Sequence, residues 1–279
     1  MPVVLVTGAS RGIGRATALR LAGEGYDVFA GVRSAEAGES ISSASSGKVT
    51  ALRLDITSEA DVAGLDAALP ERLDAVVNNA GIVVGGPVEA VAIDALRRQL
   101  EVNVIGQIAV TQVLLPRLRS SKGRILFVSS VSGRISSPMV GPYSASKFAL
   151  EALADALRVE LRPWAIEVIL VEPAQTDTDM WRGAGEMLEE TVAEMSPSDR
   201  QLYGAHIEGQ RRSIPKSQKA ATAPDAVAST IAAALRAARP RARYVVGAVP
   251  KLAASAFSLL PTSVTDRLLA KSSGIPARP

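Results

Sequence analysis

Tyr143 and Lys147 stand four residues apart at the head of a strongly periodic stretch, Tyr143 to Leu161, so a helix there carries a phenol and an ammonium on one face. A free phenol titrates near pH ~10, and a neighbouring cation favours the phenolate. The pair is therefore expected to transfer protons as an acid/base near working pH. Ser130 lies upstream, just past an apolar run, where its hydroxyl can hydrogen-bond a substrate oxygen. Asn103 falls in a long helical stretch, where a side-chain or backbone carbonyl can hold a water beside the lysine.

A second constellation opens the chain. The run Val3 to Thr7 passes into Gly8-Ala9-Ser10-Arg11-Gly12-Ile13-Gly14 and then into a helical pattern. The spacing differs from G-x-G-x-x-G, but the physics carries over: Gly8 permits a sharp turn, Gly12 lets backbone N–H groups approach a pyrophosphate, and Gly14 lets the helix pack closely on the sheet. No Gly-Lys-Ser/Thr closes the turn, which disfavours phosphoryl transfer. A fold that selects NAD sets a carboxylate at the end of its second strand, against the ribose 2′-hydroxyl. Here that strand ends in apolar Val32, followed by Arg33. With Arg11 in the glycine turn, two guanidinium forks can converge on a 2′-phosphate, so NADP(H) is the preferred cofactor and NAD(H) a possible one.

The elements that must position these groups follow from patterning. Strands are expected at Val3 to Thr7, Asp27 to Val32, Val49 to Leu54, Leu73 to Asn78, Gly123 to Ser129, Ile166 to Val171 and Arg243 to Val246. Helices are expected at Gly12 to Ala22, Glu59 to Leu69, Ile93 to Leu118, Tyr143 to Leu161 and Asp225 to Ala238, with Ser40 to Gly47 as a surface connection. The alternation predicts an α/β fold, a doubly wound parallel sheet of the Rossmann type with about seven strands. The 279 residues, 47% of them hydrophobic, suffice for one such core and not for a second full domain. Residues 1–248 form this domain and 249–279 a C-terminal extension.

At these residues the chain resembles the short-chain dehydrogenases/reductases, from its first strand to about Gly247. The resemblance rests on the glycine turn, on Asn78-Asn79-Ala80-Gly81, on Asn103-Val104-Ile105-Gly106, and on Ser130 with Tyr143-Ser144-Ala145-Ser146-Lys147. It implies a hydride-transferring oxidoreductase acting on a small-molecule carbonyl or alcohol, with Asn103, Ser130, Tyr143 and Lys147 as the catalytic set. It implies that Gly8, Ser10, Arg11, Gly12, Ile13, Gly14 and Arg33 bind the cofactor. Asp55, Ile56, Asn79, Ala80 and Gly81 would bound its adenine side, Lys147 would hold the ribose hydroxyls beside Tyr143, and Pro173, Thr176 and Thr178 would flank the nicotinamide. The chain has Pro173-Ala174 where the family usually has Pro-Gly. Family members commonly form homodimers or homotetramers through the helices at Ile93 to Leu118 and Tyr143 to Leu161.

Two segments interrupt the rhythm. Thr176 to Ala223 is long and mixed, too irregular for a core helix, and follows a strand's carboxyl end, where open sheets bind ligands. It reads as a substrate lid in which Met180, Trp181, Met187 and Leu188 cover an apolar pocket. Leu252 to Ala270 carries Phe257, Leu259, Leu260, Val264, Leu268 and Leu269 around Pro261, and can pack, join copies of the chain or face a membrane. With Arg241 to Gly247 it resembles the tail of retinol- and steroid-dehydrogenase-like members, which implies a bulky apolar alcohol or ketone.

Other classes fit less well. Ser144-Ala145-Ser146-Lys147 matches the S-x-x-K of serine acyl-transferring enzymes, but Ser-Asp-Asn, Lys-Thr-Gly and G-x-S-x-G are all absent. A non-catalytic dinucleotide sensor is expected to lack the tyrosine or the lysine. Without cysteine there is no thiolate nucleophile, and with His206 as the one histidine no metal site is expected. The basic residues are scattered apart from Arg211-Arg212 and Arg239 to Arg243, which argues against nucleic acid. Met1-Pro2 leads straight into a strand, so a cytoplasmic protein is expected.

Overall fold

Seven short apolar runs become strands: β1 (Val3–Thr7), β2 (Asp27–Val32), β3 (Val49–Arg53), β4 (Ala75–Asn78), β5 (Arg124–Val128), β6 (Glu167–Glu172) and β7 (Arg243–Val245). The computed structural model describes residues 1–247 and 260–275. All strands are parallel, in the order β3-β2-β1-β4-β5-β6-β7. Parallel pairing needs crossovers, and helices α1 (Gly12–Gly23), α3 (Glu59–Ala68), α5 (Gln107–Ser121), α6 (Gly141–Glu160) and α11 (Pro224–Arg236) supply them on both faces. Alternate strand residues therefore feed separate cores. Val4, Val6, Val77 and Leu126 pack with Leu21 and Ile231, whereas Leu5, Val76 and Phe127 pack with Leu65, Leu114 and Leu150. The strand order reverses between β1 and β4, so the glycine turn and Asn78 to Gly81 leave the sheet at the crevice where such folds bind ligands.

Three expectations need correction. The serine-rich connection begins as a helix, α2 (Ala35–Ala44). Ser34 caps it by accepting from the Ala37 N–H at 3.2 Å, and fully buried Ile41 anchors it. One buried isoleucine among serines is too sparse a period to read as a helix. The long helix from Ile93 is also not continuous: α4 (Ile93–Leu100) passes through a π-helical turn, Glu101–Gly106, before α5. Gly106 there presses on the β3–α3 loop, since a Cβ on it would sit 2.6 Å from the Ile56 carbonyl oxygen.

Third, Thr176 to Ala223 is helical, not irregular. It forms α7 (Asp179–Arg182), α8 (Ala184–Glu194), α9 (Pro197–Leu202) and α10 (Gly204–Lys219). Helices α8 and α10 share a small core of Leu188, Met195 and Ile207 closed by Met139, which comes from the loop before α6. Leu188 thus fills the segment's own core, while Met180 is exposed and Trp181 and Met187 are half-buried. Breaks at Gly183, Ser196-Pro197 and Gly204, with Pro215 inside α10, interrupt the period that would reveal these helices.

Helix α12 (Thr262–Ser272) lies in the extension, and its end rests on α10: a Cβ on Gly209 would come within 1.9 Å of the Ser273 carbonyl oxygen. Leu260 and Leu268 are exposed. Leu252, Phe257 and Leu259 lie outside the described residues. Among the described residues no helix is long and apolar enough to cross a membrane. The close approach at Gly106 is testable: Gly106→Ala should destabilise the fold by about 1–3 kcal/mol through overpacking against backbone, and an unchanged urea midpoint would show that the approach is slack.

Candidate active site

The chain leaves β1 through a turn that only glycine fits. Gly8 and Gly12 take φ of 62° and 56°, in the left-handed region. A Cβ on Gly8 would meet the Ala80 Cα at 2.8 Å, and one on Gly14 would meet the Gly8 carbonyl oxygen at 2.3 Å. The third glycine therefore lets the helix close on the turn itself, more than on the sheet. Thr7 and Asn79 lock the turn to β4. The Thr7 hydroxyl accepts from the Asn79 and Ala80 N–H groups at 3.0 and 3.1 Å, while Asn79 Nδ2 donates to the Thr7 and Gly8 carbonyls at 3.0 and 3.2 Å.

Helix α1 starts at Gly12 with no side-chain cap and no acidic residue in its first turn, so its open N–H groups and positive dipole end suit an anion. Ser10 and Arg11 are exposed beside it and Ile13 is half-buried. Arg33 is exposed just past β2, and neither it nor Arg11 has a hydrogen-bond or ion-pair partner among the described residues. Asp55 is less free than expected. Its carboxylate accepts from the Thr57 N–H at 3.0 Å and hydroxyl at 2.7 Å. Those bonds hold its pKa below the usual carboxylate value, helped by Arg33 and Arg98 and opposed by burial. Ile56 is buried, with its carbonyl against Gly106.

Ser130, Tyr143 and Lys147 converge at the carboxyl end of β5. Ser130 caps a short 3-10 turn, Val131–Gly133, accepting from the Ser132 N–H at 3.1 Å and donating to the Pro173 carbonyl at 3.4 Å. Lys147 is buried, donates from Nζ to the Val128 carbonyl at 2.8 Å, and places that nitrogen 5.7 Å from the centre of the Tyr143 ring. Burial lowers the Lys147 pKa to about 8, and the Glu151 carboxylate opposes that fall. The phenol departs from expectation. Burial raises the Tyr143 pKa, and the hydroxyl of Ser130 is the group that pulls it back. Desolvation of the phenolate dominates in this site.

Asn103 sits fully buried in the π turn, and its side chain is committed. It accepts from the Ile82 N–H at 2.8 Å and donates to the Ile82 carbonyl at 3.0 Å and to Ser146 Oγ at 3.1 Å. Of the two water-holding groups anticipated at Asn103, the side-chain oxygen is thus already in use. Ser146 in turn donates to the Tyr143 carbonyl at 2.7 Å, joining the π turn to the start of α6. Sequence reasoning overlooked the partners of Asn103. Gln99 Nε2 donates to the Ile82 carbonyl at 2.9 Å, its Oε1 accepts from the Val84 N–H at 2.6 Å, and Gln107 Nε2 donates to the Ala80 carbonyl at 2.8 Å. The signal was present, because Gln99, Asn103 and Gln107 recur at intervals of four.

Across the crevice, Thr178 lies over the glycine turn, with Cγ2 3.0 Å from a Cβ built on Gly12. It also caps α7. Thr176 is buried and pairs with Thr222, and the Pro173 carbonyl accepts the Val131 N–H at 3.0 Å. Ala174 is not among the residues with positive φ, so the missing glycine leaves no strain there. The lock at Thr7 can be tested by Thr7→Val, which preserves shape and strands two N–H groups. A loss of about 1–3 kcal/mol in urea unfolding is expected, and an unchanged midpoint would mean that water replaces the hydroxyl.

Residues 2–189 match the short chain dehydrogenase family. Over 97% of its length the chain is 33% identical to the NADPH-dependent 3-dehydrocapnine reductase of Ornithobacterium rhinotracheale, of which 97% is covered. It is 34% identical over 95% of its length to mouse (Mus musculus) retinol dehydrogenase 5, of which 87% is covered. Among solved structures, a Burkholderia cenocepacia short chain dehydrogenase in complex with NADP superposes with a TM-score of 0.76 at 27% identity, covering 96% of this chain and 97% of that one.

Proposed function

The chain belongs to the short-chain dehydrogenase/reductase family and is an oxidoreductase; on that footing we propose that it moves a hydride between NADP(H) and a ketone or alcohol, with Tyr143 as the acid/base. The observation that carries this reading is the convergence of Ser130, Tyr143 and Lys147 at the same carboxyl edge of the sheet as the open N-terminus of α1. The cofactor fits the residues present: glycines at left-handed φ, uncapped N–H groups, and two exposed guanidiniums. Gly8, Ser10, Gly12, Ile13 and Gly14 would hold its pyrophosphate, and Asp55 to Ile56 with Asn79 to Gly81 its adenine side. Lys147 would hold the ribose hydroxyls, and Pro173, Thr176 and Thr178 would flank the nicotinamide. When bound, NADP(H) supplies or accepts the hydride.

The protein's own residues manage the proton. In reduction the Tyr143 hydroxyl gives its proton to the developing alkoxide, and in oxidation the phenolate takes it back. A phenol whose pKa burial raises is a stable proton donor at neutral pH. Lys147, a cation in a dry site, stabilises the phenolate left behind, and Ser130 donates to the same substrate oxygen. Proton replenishment runs through Lys147 and a water held at the π turn, with the backbone carbonyl of Asn103 as its seat. The four helices from α7 to α10 form the lid, and half-buried Trp181 and Met187 face a bulky apolar substrate. Exposed Ile93, Ile105, Phe148, Leu153 and Val159 between α4 and α6 support the reading of these helices as a homo-oligomeric face.

Two measurements test this reading. Tyr143→Phe keeps the ring and loses the ionisable hydroxyl, so turnover of a ketone screened from steroids, retinoids and aliphatic ketones should fall by roughly 10²-fold or more. Cofactor affinity should stay near that of the parent, and retained turnover would refute the role. For cofactor choice, Arg33→Ala should cost roughly tenfold or more in NADPH affinity through lost charge-assisted bonds, with NADH affinity little changed. The named NADPH dependence of one relative and the NADP in one structural neighbour support that preference. An equal or higher kcat/KM with NADH in the parent protein would reverse it.

A further inference from the structure

Beneath the reactive pair lies a set of buried and half-buried charges that the chemistry above does not use. Glu172, the last residue of β6, is fully buried; the Arg134 Nη2 donates to its Oε1 at 2.8 Å, and the Arg134 Nε lies 2.7 Å from Oε2 as an ion pair without hydrogen-bond geometry. Arg134 directly follows the turn that Ser130 caps. Arg243, the first residue of β7, reaches Glu172 at 3.4 Å, Glu151 at 3.0 Å and both Asp155 oxygens at 2.7 Å. Arg158 closes the outer end on Asp155 at 2.6 Å. One connected group of charges thus spans the Ser130 turn, the strand leading to Pro173, and the helix bearing Lys147.

Glu151 is its innermost member. It lies one helical turn beyond Lys147 on α6 and is 7% exposed. The Ser130 turn roofs it, since a Cβ on Gly133 would come within 2.9 Å of its Cγ and 3.2 Å of the Lys147 carbonyl oxygen. Arg243 holds one carboxylate oxygen, whereas the other, Oε1, is buried without a hydrogen-bond partner. A half-compensated buried carboxylate is costly unless a second cation answers it. The groups around Lys147 are Tyr143 and Glu151 on its own helix. Behind Glu151 come Asp155 on the same helix, Glu172 from β6, Arg134 after the Ser130 turn and Arg243 from β7. Of these charges, Glu151 is the one that acts on the lysine.

We propose that Glu151, clamped by Arg243 and roofed by Gly133, is a positioning residue whose carboxylate, one turn along α6, keeps the buried Lys147 ammonium charged where the Val128 carbonyl seats it. The proposal rests on the reading of Lys147 as a group that holds the cofactor. Burial lowers the lysine to about 8, and Glu151 opposes that fall. The part of cofactor affinity due to the ammonium is therefore present below that pH and lost above it. Without Glu151 the lysine drops further, and the loss sets in at lower pH.

The test is NADPH affinity, read from the fluorescence of the bound reduced nicotinamide, between about pH 6 and 10. Glu151→Gln, which keeps shape and removes charge, should bind as the parent does at the acidic end. Its loss of affinity should come about one pH unit earlier. Glu151→Asp should bring the midpoint most of the way back. An unshifted midpoint in Glu151→Gln, with the pH dependence abolished in Lys147→Met, overturns the role of Glu151 and leaves that of Lys147 standing. If Lys147→Met binds NADPH as the parent does across the range, the reading of Lys147 fails and this proposal falls with it. Should Glu151→Gln not fold, Glu151→Met, of similar length and without charge, serves instead: a midpoint moved to lower pH supports the proposal and an unmoved one refutes it.

Discussion

Backbone groups that leave a sheet without a neighbour must find partners elsewhere, and this constraint shapes the crevice of the molecule. Beyond Asn78 the chain from Ala80 to Val84 has no strand beside it. Gln99, Asn103 and Gln107 act as its missing strand, satisfying the carbonyls of Ala80 and Ile82 and the N–H groups of Ile82 and Val84. Residues four apart drift about 40° per step around an α-helix. The wider π turn at Glu101–Gly106 counters that drift, so the three amides keep facing one segment. The π turn is thus part of the wall that carries Asn103, and through Ser146 it reaches the first turn of α6.

Burial then sets the electrostatics. In water a lysine near a tyrosine would make the phenol more acidic, but here both groups are drier than any surface pair. The phenol moves towards its neutral form and the lysine falls to about 8. Two neighbours limit these shifts, Ser130 for the phenol and Glu151 for the lysine. Each comes from a separate part of the chain or lies a turn away, and the ion pair of Arg134 with Glu172 ties their surroundings together. The reactive face therefore depends on a charged layer behind it as much as on its own side chains.

The helices from α7 to α10 connect the far end of the chain to this face. Their core includes Met139, which takes a φ of 67° and accepts the Gly86 N–H at 2.8 Å through its carbonyl. Tyr203 adds a hydrogen bond to Glu89 at 2.6 Å. On the outer side the end of α12 presses on Gly209. The proposed lid is consequently held between the loop that leads into α6 and the C-terminal extension, so both can bias its position.

Much of this was legible in the residues themselves. Local patterning reports local forces, and the β-branched runs, the glycine turn and the Tyr143–Lys147 spacing each reflect a constraint within a few neighbouring residues. The seven strands, their parallel pairing and the meeting of Ser130 with Tyr143 follow from such signals and from the right-handed crossover rule. The π turn, helix α2, the Glu151–Arg243–Glu172–Arg134 group and the direction of the Tyr143 shift were not legible. Each depends on partners brought from distant parts of the chain, as Arg243 is to Glu151, or on how much water the surrounding elements exclude. Sequence by itself determined the kind of fold and which side chains face the crevice, because periodicity and turn chemistry are encoded over short spans. Only the tertiary structure decided the protonation balance of those side chains and what holds them, because desolvation and charge pairing are properties of the packed interior.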